Sequence, residues 1–235
     1  MKTVKSILII LGISLVIFVS CEKDDTESAE GASFQIEFET ITSDFDLKSN
    51  ETGTLEFSSG QIILESVEFE ASSDNDTLEA EFEIESYITI DFATGETNPD
   101  ISAIKIAPGN YTEIEIELEL WDQSEQPSIV LNGQWTDTHG ESHPVRFEFD
   151  SGQDFSLEIE GNFTIDQETT MIAQITFDPG VWFSGVDQGM FSSATTNDEG
   201  VIVISSGENT DIYDIVEDMI DLVSEVEISI NNLNL

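Results

Sequence analysis

Positive charge is almost missing from this chain: 6 Lys and Arg stand against 50 Asp and Glu, a formal net charge of -44. Such a surface repels phosphate backbones and anionic head groups at ordinary salt, which excludes nucleic acid as a partner. Histidine is scarce as well. The two residues, His139 and His143, fall in one short stretch with no evident serine partner, and neither a nucleophile elbow nor a phosphate loop is present. Carboxylate pairs are too abundant to nominate a glycosidase, because acid and base need a cleft that no sequence displays. The chain therefore reads as non-catalytic.

Long apolar runs are also lacking. The one at Ile7 to Val19 is shorter than the roughly 20 residues a membrane span needs. With Lys2 and Lys5 before it and small Ser20 after it, residues 1-20 read as a signal peptide. Phe18-Val19-Ser20-Cys21 resembles the lipobox of bacterial lipoproteins, with Phe18 where leucine is usual. The resemblance implies that Cys21, the only cysteine, is lipidated with acyl chains such as palmitate and becomes the new N-terminus. Cysteine chemistry is then closed to the mature chain. Two or more acyl chains, at about 0.8 kcal/mol per buried methylene, make a stable anchor. Glu22-Lys23-Asp24-Asp25-Thr26-Glu27 looks like the export signal of surface-exposed Bacteroidota lipoproteins, which implies an outer-membrane protein facing the cell exterior. Residues 21-33 as a whole read as a lipidated, flexible acidic tether.

What the chain has in plenty is alternation. Apolar residues make up 39% of 235, ample for a core. In Ile104 to Trp121, residues Thr112, Ile114, Ile116, Leu118 and Leu120 share one strand face, and Tyr111, Glu113, Glu115, Glu117 and Glu119 share the other. Ala107-Pro108-Gly109-Asn110 has the chemistry of a type II turn, with positive φ at the glycine, and predicts either a hairpin or a sharp strand-to-strand corner. Further strands are expected around Phe34 to Phe38, Leu55 to Phe57, Ile62 to Ala71, and Leu78 to Phe92 with a bulge at Glu85-Ser86. Others follow at Ile129 to Trp135, Val145 to Phe149, Phe155 to Ile159, Phe163 to Ile165, Ala173 to Phe177, and a buried one at Val201 to Ile204. Asn209 or Thr210 caps a helix whose apolar stripe runs Ile212, Ile215, Val216, Met219, Ile220, Val223 and Val226. The expected fold is a mainly β, antiparallel sandwich over residues 34-185, with a C-terminal strand and one helix in 186-235 packing on it.

The run Ile106-Ala107-Pro108-Gly109-Asn110-Tyr111-Thr112-Glu113-Ile114 resembles the turn and strand of the lipoprotein β-sandwich domain called domain of unknown function 4382. It departs in its contiguous Pro-Gly and in Glu115, where a basic residue is frequent. The resemblance extends weakly over residues 34 to about 180. It implies an immunoglobulin- or transthyretin-like sandwich on a lipid anchor and brings no catalytic residues.

Three groups of side chains are candidate sites. His139, Glu141 and His143 could ligate zinc or copper, but Gly140 and Pro144 argue against the helix that their spacing would need, and a solvated turn is the favoured reading. Calcium is the better case in a chain otherwise expected to hold no cofactor, since it prefers oxygen cages; Asp74, Asp76 and Glu79 form one such set and Asp137 with Glu141 another. Trp121, Trp135 and Trp182 could form a stacking platform for sugars, with Tyr111 on the same strand face as Trp121, although tryptophan is more often core. Two functions follow: a structural or accessory component of an outer-membrane protein assembly, and alternatively an extracellular module that binds a glycan or another protein, with calcium as an aid.

Overall fold

A computed structural model describes residues 32–48, 53–73, 78–101, 104–122, 126–150, 154–167, 169–220 and 225–232. The elements in chain order are β1 (Ala32–Thr40), β2 (Phe45–Asp46), β3 (Thr54–Ser72), β4 (Glu79–Asp91), β5 (Thr97–Asn98), β6 (Ile104–Ile106), β7 (Gly109–Leu120), β8 (Ile129–Thr136), β9 (Ser142–Phe149), β10 (Asp154–Ile165), β11 (Thr169–Phe177), α1 (Pro179–Trp182), α2 (Gln188–Ser193), β12 (Ile202–Ile204), α3 (Thr210–Ile220) and β13 (Glu225–Asn232). Signal peptide, Cys21, tether residues 22–31, Asp74 and Asp76 lie outside the described residues, while Ala32 and Ser33, expected as the end of the tether, open β1 and pair with Ile106 and Lys105 of β6.

The strands form two sheets. A small one runs β13-β11-β1-β6 and a large one runs β10-β7-β3-β8-β9-β12, with β4 also paired to β3. Inner faces meet in one apolar core, where the rings of Phe34 on β1 and Phe69 on β3 lie 4.1 Å apart. The architecture is sandwich-like and mainly β, but the sheets are mixed rather than antiparallel. β1 pairs in parallel with β11, and β12 in parallel with β9. These pairings join segments far apart in sequence, which alternation alone does not specify.

β3 explains much of the large sheet. Leu55 to Phe57 and Ile62 to Ala71, expected as two strands, are one strand of 19 residues. Its first half pairs with β8 and its second with β7, so it spans the sheet. A register shift between Leu64 and Ser66 affects the pairings with β4 and β7, and there the buried side changes from Ile62 and Leu64 to Val67, Phe69 and Ala71. The bulge expected at Glu85-Ser86 lies opposite this shift.

The Pro108-Gly109 turn is a corner, not a hairpin: β6 belongs to the small sheet and β7 to the large one. Gly109 is absent from the residues with positive φ, contrary to the type II expectation. A Cβ there would come within 2.2 Å of Leu78 Cδ2, the movable end of a half-buried side chain. Tyr111 is fully buried rather than on the glutamate face, and its hydroxyl donates to the Ala107 carbonyl at 2.8 Å. A tyrosine tied back to backbone a few residues upstream fixes the corners of many sandwiches. Beyond it, Ile114, Ile116, Leu118 and Leu120 are buried as the alternation requires.

Among the described residues three helices stand where one was expected, and α1 falls before residue 186, within the span expected to be sandwich. Asp178 and Asp187 accept from the Gly180 and Gly189 amides at 2.7 Å and start α1 and α2. This segment carries Trp182, Phe183 and Phe191 into the core, with Phe183 against Phe57 and Phe147 at 5.3 and 5.4 Å. In α3 the buried stripe is Ile212, Tyr213, Val216 and Ile220. Asn209 does not cap it with its side chain. Its amide instead joins Thr195 and the Val203 carbonyl, with φ of 49°. Val226, placed on the helical stripe from sequence, lies in β13 of the small sheet. Glu225-Val226-Glu227-Ile228 alternates with period two, and sheet pairing prevails over the weaker helical period.

Candidate functional site

The outer face of β4, β3 and β7 is a lattice of carboxylates. Register aligns Glu81, Glu70 and Glu115 in one row and Glu83, Glu68 and Glu117 in the next, followed by Glu85, Ser66 and Glu119. Neighbouring strands are about 4.8 Å apart, so like charges sit directly opposite one another. Desolvation, then Glu117 and Glu70, push the Glu68 carboxyl above its ordinary value. Glu83 is pushed up chiefly by Glu85. The lattice is short of countercharge, and a bound cation would relieve it.

Aromatic rings stand at one end of this lattice. Tyr87 is the one large apolar side chain exposed among the described residues, at 44%. Its ring meets Trp121 edge to face at 5.1 Å, and the Trp121 amide donates to the Ile63 carbonyl at 3.1 Å. With Glu65, Ser66, Glu68, Glu83, Glu85, Ser86 and Glu119 these rings line a groove of about 330 Å³. The β3 register shift creates it by bringing Glu65 and Ser66 to the rim, where the Ser66 hydroxyl donates to Glu119 at 3.1 Å. Aromatic faces beside several carboxylates attract organic cations, through ring quadrupole and charge together.

The four aromatic residues singled out from sequence do not come together, and Trp182 is buried against Phe177. Trp121 is half-buried in the groove, Tyr111 lies in the core at the corner, and Trp135 is buried between His143 and Phe191. Tyr87 is the partner that alternation hid, because an outward tyrosine in a strand carries no signal until the neighbouring strand is known. Glu79 is exposed at the start of β4.

The β8–β9 hairpin holds a second cluster. One Asp137 carboxylate oxygen accepts from the His139 and Glu141 amides at 2.8 and 2.9 Å, which closes the turn with Gly140 at φ 80°. The other oxygen faces His139 Nδ1 at 3.6 Å and His143 Nε2 at 3.7 Å. The Glu141 amide most of all, opposed by desolvation and helped by the His139 amide, holds the Asp137 carboxyl below its ordinary value. Ligand atoms of Asp137, Glu141 and His143 lie within 4.8 Å of one another. His139 and Glu141 lie in the turn expected from sequence, whereas His143, expected in the same turn, is the second residue of β9 and pairs with Trp135 of β8.

No family model matches the chain, and no curated protein matches it in sequence. Among solved structures, MbnP from Methylosinus trichosporium is similar at 9% identity and a TM-score of 0.35, over 66% of this chain and 78% of that chain. A likeness of that size carries no argument about ligand or activity.

Proposed function

We propose that this chain is a non-catalytic, lipid-anchored binding module of the cell exterior that takes cationic groups on the open face of its large sheet. The observation that carries this reading is the Tyr87–Trp121 pair set into a groove among Glu65, Glu68, Glu83, Glu85 and Glu119. An amino sugar polymer or a lysine-rich segment would stack its apolar part on the rings and place its ammonium among the carboxylates. The anchor rests on the lipobox-like Phe18-Val19-Ser20-Cys21, and the outward orientation on the acidic run after it. A role as accessory subunit of an outer-membrane assembly is compatible with the same surface, its partner then supplying the basic segment.

The test is calorimetric titration with chitosan oligomers, which carry free amines, and with chitin oligomers, in which the amines are acetylated. Chitosan should bind and chitin should not. Trp121→Ala and Tyr87→Ala should each abolish binding with the thermal melt unchanged. Equal binding of the two polymers, or binding that survives both substitutions, would overturn the reading.

A further inference from the structure

We infer that the β8–β9 hairpin is a binding site for a divalent transition-metal ion of the zinc type, with Asp137, Glu141 and His143 as ligands and His139 in reach as a fourth. This site is independent of the groove. Its warrant is a mismatch between geometry and hydrogen bonding. The second Asp137 oxygen faces two imidazole nitrogens at 3.6 and 3.7 Å, longer than a hydrogen bond and an ion pair only when an imidazole is protonated. Two ligand atoms bound to one tetrahedral ion at about 2.1 Å each are separated by roughly 3.4 Å. The observed spacings are near that of a ligand pair, and the Glu141 carboxylate lies in the same cluster, all atoms being within 4.8 Å.

The hairpin also holds these ligands in place. Asp137 uses its other oxygen on the turn amides, so its orientation is fixed by backbone. His143 pairs across the ladder with Trp135 and stacks on it at 5.0 Å, and Trp135 stacks in turn on Phe191 at 5.5 Å. The imidazole plane is thus set by a buried column of rings, the kind of support that orients metal ligands. His139 is 84% exposed, with the Thr138 hydroxyl 3.4 Å from its Nδ1, and turning toward the ion would exchange that contact for a metal bond. An imidazole among the donors favours zinc, cobalt or nickel over calcium, which prefers oxygen alone.

The test is titration of the purified full chain with zinc in the presence of excess calcium and 0.5 M salt, which occupy and screen the acidic face; cobalt absorption in the visible is the second readout. One equivalent of zinc should bind and raise the melting temperature. His143→Ala should weaken binding roughly tenfold or more and remove the melt shift. Glu141→Gln, at an exposed position where folding is not at stake, should weaken it too, and cobalt should show absorption of a nitrogen-ligated site that His143→Ala loses. Binding unchanged in both variants would overturn the inference. So would many weak equivalents without saturation, or displacement of zinc by calcium.

Discussion

Tyr111→Phe isolates one hydrogen bond at the corner between the two sheets. The ring stays in the core, where Tyr111 is fully buried, and only the bond from its hydroxyl to the Ala107 carbonyl at 2.8 Å is lost. A bond of this kind contributes about 1 kcal/mol net, within roughly 0.5 to 1.5. Ala107 is exposed, so its carbonyl can turn to water and the cost should stay in that range. For a domain of this size 1 kcal/mol moves the melting temperature by about 2–4 °C. Tyr111→Ala removes the ring as well and should cost about 3–5 kcal/mol. Thermal and urea melts of both variants decide. A Tyr111→Phe melt equal to wild type would refute the view that the hydroxyl pins the corner, and a Tyr111→Ala melt near that of Tyr111→Phe would refute the burial.

Other expectations concern charge, packing and anchoring. Because folding holds Glu68 and Glu83 above the ordinary value of 4.5, their stabilisation is present below that value and lost as pH rises through the raised one. The melting temperature should therefore increase as pH falls from 7 to 4.5; a flat or falling profile would count against the lattice. Glu68→Gln should raise the melt by about 1–3 °C at low salt, and 1 M salt, with a Debye length of about 3 Å, should erase the difference. Gly133→Ala places a Cβ 1.8 Å from the Glu56 carbonyl and should cost about 3 kcal/mol or more, read in a urea melt. Cys21→Ala should abolish metabolic palmitate labelling and release the chain from the membrane fraction.

Much of the sandwich was legible because its strands are wet on one side. Ile114 to Leu120 against Glu113 to Glu119, and Val145 to Phe149, announce their buried faces by period two. Tyr111 was misplaced because the chain turns a corner there, and the phase of β7 does not extend back through it. Pro108-Gly109 signalled a turn, but whether its arms pair or part depends on which sheets they join. Pairings of β1 with β11 and of β9 with β12 bring together residues more than 50 positions apart, and local pattern is silent on them. α1 and α2 are too short to show a helical period, although Asp178-Pro179 and Asp187 are readable caps. Trp121 was found as a candidate and Tyr87 was not, since their contact exists only through the bulge that aligns β4 with the end of β7.

The groove can be read most directly from the indole N–H signals of the three tryptophans in a proton–nitrogen correlation spectrum, recorded while a chitosan hexamer is added. Trp135 and Trp182 are 4% and 1% exposed and should not move, whereas Trp121, half-buried beside Tyr87, should shift in proportion to the ligand bound. Saturable movement of the Trp121 signal alone is the predicted result. A Trp121 signal that stays fixed while the oligomer binds elsewhere, or no binding at all, would contradict the account.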